Sequence, residues 1–116
     1  MRKEIEIGGN NYSFVANAAT AIYYKQFFRK DLLASLSSGD GIAIASDALP
    51  ELAFIMAKQA DKADMMNLKY ATYLEWLEHF DAMDIALHAE EILSVYYTDM
   101  GTSVEPKKKG KGARNG

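Results

Sequence analysis

Two histidines are the whole imidazole inventory of the chain, and each has a carboxylate four residues upstream: Glu75 before His79, and Asp84 before His88. On a helix that spacing places both side chains on one face, where they could share a metal ion or pass a proton. Neither pair has the Glu-x-x-His spacing that di-iron bundles use. His79 falls among polar residues, and His88 edges an apolar arc where a single hydrogen bond would satisfy it. Asp61 and Asp64 lack the spacing of a calcium loop. With no cysteine there is no thiol nucleophile, thiolate zinc site or iron–sulfur cluster. The glycines form neither G-x-G-x-x-G after a strand nor a phosphate-cradling P-loop, and no G-x-S-x-G elbow presents a serine. The expectation is a protein that is not an enzyme, with no catalytic residue, no cofactor and no metal.

Charge is unevenly spread. Residues 1–105 hold eight Lys/Arg against sixteen Asp/Glu, a net of −8, while residues 106–116 hold Lys107, Lys108, Lys109, Lys111 and Arg114 with no acid, a net of +5. The whole-chain value of −3 describes neither part. A basic tail attracts phosphates by counterion release. This one interleaves no aromatic for base stacking and adjoins an acidic body, so a solvated tail is expected and specific nucleic-acid binding is not. No apolar run nears the roughly 18 residues of a membrane span, and Met1-Arg2-Lys3-Glu4 does not read as the opening of a signal peptide. No membrane partner is expected.

The elements that would position these residues follow from periodicity. Lys3 to Ile7 and Tyr12 to Val15 alternate polar and apolar around Gly8-Gly9-Asn10-Asn11, which predicts a β-hairpin with Ile5, Ile7, Tyr12 and Phe14 on its packing face. A hairpin alone is marginal in water and must lie on helices. Helices are predicted over about Ala18 to Arg29, Asp31 to Leu36, Leu68 to Phe80 and Ala82 to Asp99. Another begins at Asp47 as N-cap, carries Pro50 in its first turn and runs to about Gln59. Ser37 to Gly41 reads as a turn cluster. The Asp47–Gln59 helix is apolar around more than half its circumference and belongs at the centre. In the Leu68–Phe80 helix, Tyr70, Tyr73, Leu74, Trp76, Leu77 and Phe80 share one face. The expected fold is α+β, mainly α: an N-terminal hairpin packed on a bundle of about four to five helices. Residues 1–101 are expected to form a single domain and 102–116 a flexible, disordered basic tail.

Packing explains the aromatic stripes. It does not explain Ile22, Met83 and Leu87, each apolar on an otherwise polar arc, which makes them the candidate contacts for a partner or a second copy.

The order of the segments is where the chain becomes recognisable. The stretch from Asn17 to Leu33 (NAATAIYYKQFFRKDLL) resembles the first helix of the tail assembly chaperones of long-tailed, siphophage-type bacteriophages. The hairpin, Glu51 to Lys58 (ELAFIMAK), Tyr73 to Phe80 (YLEWLEHF) and the ending Thr102 to Lys109 (TSVEPKKK) are similar to the same family, so the resemblance covers nearly the whole chain. It implies a non-enzymatic protein of viral morphogenesis in the host cell cytoplasm. Such a protein binds the long helical tape measure protein, keeps it soluble, supports tail tube assembly and is absent from the mature virion. It also implies a homo-oligomer, and a longer product of programmed frameshifting that engages the tail tube protein. Lys107, Lys108 and Lys109 can be encoded by an A-rich slippery heptamer, which makes them the expected frameshift region and Gly110–Gly116 the in-frame remainder. The alternative expectation is a minor structural or connector protein of a phage tail or neck.

Overall fold

Gly8 and Gly9 both take positive φ, 60° and 88°, and so close a two-residue turn that an L-residue would strain. That turn joins β1 (Arg2–Ile7) to β2 (Asn10–Val15) in an antiparallel pair with Ile5 opposite Tyr12 and Lys3 opposite Phe14. The computed structural model describes residues 1–37 and 44–99. The period-two pattern works as expected: Ile5, Ile7 and Phe14 are buried, and Tyr12 is half-buried against the Phe80 ring at 4.8 Å.

Helix α1 (Thr20–Phe28) starts from an Asn17 side chain that accepts from the Ala19 N–H, and from a Thr20 hydroxyl that accepts from the Asn17 N–H, each at 2.9 Å. It ends where Arg29 turns left-handed, φ 61°. Asp31 then caps α2 (Leu32–Leu36), its carboxylate accepting from the Ala34 N–H at 2.9 Å. The expected turn cluster over 37–41 lies mostly outside the described residues, as does all of the expected tail.

Helix α3 (Leu49–Ala60) is the centre. Every residue from Leu49 to Ala57 except the half-buried Pro50 is buried, and the helix touches the hairpin and five other helices or turns. Its start differs from expectation. Asp47 is not its N-cap; Ala48 is, without a side-chain bond, and Asp47 lies in a π-helical turn, Ile44–Ala48, that runs into α3. Pro50 supplies no N–H, so a regular α ladder cannot pass through this junction, and the turn before it is wound more widely. Freed from capping, Asp47 faces Lys30 at 3.4 Å. The C-terminus closes with Lys62 left-handed, φ 57°, and the Ala63 N–H donating to the Lys58 carbonyl at 3.0 Å, the Schellman arrangement.

A 3₁₀ turn (Met65–Asn67) leads to α4 (Tyr70–Leu77). Here Tyr73 and Trp76 are buried and Leu77 and Phe80 half-buried, but Tyr70 and Leu74, expected on the same packing face, are exposed. The single helix expected from Ala82 to Asp99 is two: α5 (Asp84–Leu87) and α6 (Ala89–Asp99). The cause is His88. Its ring Nδ1 bonds the Asp84 carbonyl at 2.9 Å, taking the acceptor that its own backbone N–H would use in a continuous helix. That N–H turns instead to the Ile85 carbonyl at 3.0 Å, and the His88 carbonyl accepts from Ile92 to start α6. The fold is therefore α+β and mainly α, a hairpin packed on helices, with six α-helices among the described residues because the last expected one is divided.

Candidate functional site

Neither histidine meets the carboxylate that its spacing suggested. His79 Nδ1 lies 3.1 Å from the Trp76 carbonyl at the end of α4, and His88 is spent on the Asp84 backbone. The Asp84 carboxylate itself accepts from the Asp81 N–H at 2.9 Å and lies close under the hairpin turn at Gly8. Among the described residues, no three His, Cys, Asp or Glu side chains are grouped to hold a metal ion.

One acidic group is buried where sequence reasoning placed only a helix start. Glu51, 6% exposed in the first turn of α3, accepts from the Tyr24 hydroxyl at 2.6 Å and from Lys30 Nζ at 2.9 Å. Burial, followed by the bond to Glu51, pushes the Tyr24 phenol well above its ordinary value. Burial opposes the charge on Lys30, but Glu51 and Asp47 outweigh it and hold the ammonium above its usual range. Tyr73 is raised as well, first by burial and then by the negative charge of Glu51. Both Glu51 oxygens are engaged, so this group ties α1, the Lys30 turn and α3 together and presents no reactive atom to solvent. A second tie joins the same helices at their other ends: the Thr20 hydroxyl donates to Gln59 Oε1 at 2.7 Å, and Gln59 Nε2 donates to Asn17 Oδ1 at 3.1 Å. The sequence signal for Glu51 was available, since it is an acid flanked by apolar residues on the most apolar helix.

Several large apolar side chains remain at the surface. Ile22 is 67% exposed on α1, and Met83 and Leu87 are 61% and 75% exposed, one turn apart on and beside α5. They belong to two different places. Ile22 lines a groove with Lys25, Gln26 and Arg29. Gln26 and Arg29 also line the adjoining groove, whose floor is Phe27, Met65, Met66, Leu68 and Tyr70. Leu87 lines a separate groove with His88, Glu90 and Glu91. Sequence reasoning passed over Met66 and placed Tyr70 and Leu74 on a packing face, yet all three are exposed. Between α4 and α5 opens a cleft of about 310 Å³ walled by Pro50, Tyr73, Leu77, Phe80, Ile85 and Ala86. Lys107, Lys108 and Lys109 lie outside the described residues.

No helix among the described residues is long and apolar enough to cross a membrane. No family model, curated protein or solved structure matches the chain.

Proposed function

We propose that this protein is a tail assembly chaperone of a long-tailed bacteriophage: a non-enzymatic protein that binds and solubilises the tape measure protein in the host cytoplasm, supports tail tube assembly and leaves before the virion is complete. The observation that supports this reading is the set of apolar side chains left at the surface of a domain whose central helix is buried from Glu51 to Ala57. A tape measure protein exposes apolar helix faces until the tube encloses it, and a small domain with an apolar cleft could cover part of them. We assign the tape measure helix to the cleft between α4 and α5, where Leu77, Phe80 and Ile85 offer an apolar floor beside the Asp81 carboxylate.

Co-expression with the long helical reading frame next to this gene tests the reading. The expected result is soluble tape measure protein that co-purifies with this chain; solubility independent of the chain overturns it. Mass spectrometry of purified particles is the second test, and abundant recovery of the chain would replace the chaperone by a connector retained in the tail.

A further inference from the structure

Between Tyr70 and Glu105 the sequence holds no Lys or Arg, and Glu75, Glu78, Asp81, Glu90 and Glu91 are exposed and form no salt bridge among the described residues. Asp81 lines the cleft between α4 and α5, and Glu78 follows Leu77, another of its walls. At the wall made by Ser46 and Pro50, the neighbouring Asp47 and Glu51 share the single ammonium of Lys30, so that group is negative as well. The cleft is thus an apolar floor under a rim of acids. The segment that follows α6 has the opposite character. Val104 and Pro106 stand beside Lys107, Lys108 and Lys109, and residues 106–116 carry five positive charges and no acid. The segment is also long enough to return. Helix α6 starts two residues after α5, and with 11 residues its end lies within about 16 Å of its start. The chain from Asp99 to Lys107 can span about 27 Å when extended.

We propose that the segment Val104–Lys109 folds back into the cleft between α4 and α5 of its own chain, in place of the solvated tail that composition alone suggests. Extended backbone points alternate side chains to opposite sides, so Val104 and Pro106 meet the apolar floor while Glu105 faces water. Lys107 to Lys109 then lie against Asp81 and Glu78. Exposed ion pairs are individually weak, but a tether this short holds the segment at a millimolar effective concentration. Charge also selects this cleft over the groove at Ile22, where Lys25 and Arg29 repel the same lysines. A helix that enters the cleft must first displace the segment, which makes the cleft self-blocking. The docking does not depend on the tape measure reading and stands if that reading fails.

Spin labelling tests it on the full chain, which has no cysteine of its own. At low salt, a nitroxide on Gly110→Cys should weaken the NMR amide signals of Ala82, Ile85 and Ala86 at least twofold more than those of Asn17 and Lys62, at the far end of α3. The preference should fall away at about 0.5 M salt, where exposed charges are screened. It should also fall away when Glu78→Lys/Asp81→Lys is added; both side chains are exposed, and the spectrum of that variant reports its folding. The salt series on the unreversed chain reads the same contact without that variant. Isotope-labelled chain lacking the nitroxide, mixed with unlabelled nitroxide chain, should show no such loss. Uniform broadening, loss centred on Glu90 and Glu91, or a preference that survives salt or charge reversal each overturns the proposal. Loss in the mixed sample overturns it too, because the segment would then be seated on another copy.

Discussion

Helices α3 and α5 are both rich in apolar residues, yet α3 buries nearly everything it carries while α5 and its cap leave Met83 and Leu87 in water. The difference lies in what surrounds each helix. Elements on several sides of α3 cover it, and even its one buried acid is satisfied by a hydroxyl and an ammonium. Helix α5 is four residues long, packs one side through Ile85 and ends at His88 before a second turn can be laid down. Apolar content therefore does not distinguish core from exposed surface in this molecule; the number of covered sides does.

The largest effect expected from breaking this contrast is at the centre. Phe54 is fully buried, its ring 5.0 Å from Tyr73, 5.6 Å from Phe27 and 5.7 Å from Trp76. Phe54→Ala should cost about 3–5 kcal/mol in urea denaturation, through lost transfer energy and the cavity left behind. A loss under about 1 kcal/mol would mean that α3 is not the centre of packing.

Next is Glu51. Replacing it by Ala removes the acceptor for a buried phenol and for an ammonium that still reaches water. The expected cost is about 2–3 kcal/mol, again by urea denaturation. A variant as stable as the parent would show that the Tyr24–Glu51–Lys30 tie contributes nothing.

Hardly smaller is the pH dependence of the same tie. Tyr24 and Lys30 both ionise above their ordinary values of 10.0 and 10.5 in the folded chain. A group whose folded pKa is raised contributes stability that is complete below its unfolded pKa and is lost as pH climbs toward the folded one, because the native state then holds more protons. Stability should be level through neutral pH and fall from about pH 10 upward, where the unfolded phenols ionise and the folded ones do not. Tyr24→Phe should flatten that decline and lower stability at pH 7 by about 1–2 kcal/mol. Parallel pH profiles for parent and variant would remove Tyr24 from the effect.

The same contrast explains what was legible in the sequence. Period-two alternation located the hairpin and its buried Ile5, Ile7 and Phe14, and the breadth of the apolar arc placed α3 at the centre, because both signals are local. The division at His88 was not legible, since it depends on an imidazole taking a backbone acceptor in competition with the helix ladder. Nor was the release of Asp47 from capping, which follows from how the turn before Pro50 is wound. Ile22, Met83 and Leu87 stood out because they interrupt polar arcs. Tyr70 and Leu74 passed as core because they obey the α4 pattern, and a pattern gives the direction of a face but not the width that neighbours cover. Met66, in a 3₁₀ turn, had no arc to violate.

The smallest expected effect sharpens the comparison most. Leu87→Gln changes the most exposed large apolar side chain among the described residues, on a helix where only Ile85 is buried. If α5 keeps Leu87 for contact rather than for packing, stability should change by less than about 0.5 kcal/mol, although a leucine of equal size in α3, such as Leu52, would cost several when cut back. Urea denaturation at low protein concentration decides the matter. A loss above about 1 kcal/mol would place Leu87 in the core, and with it α5 would join α3 as a packing element.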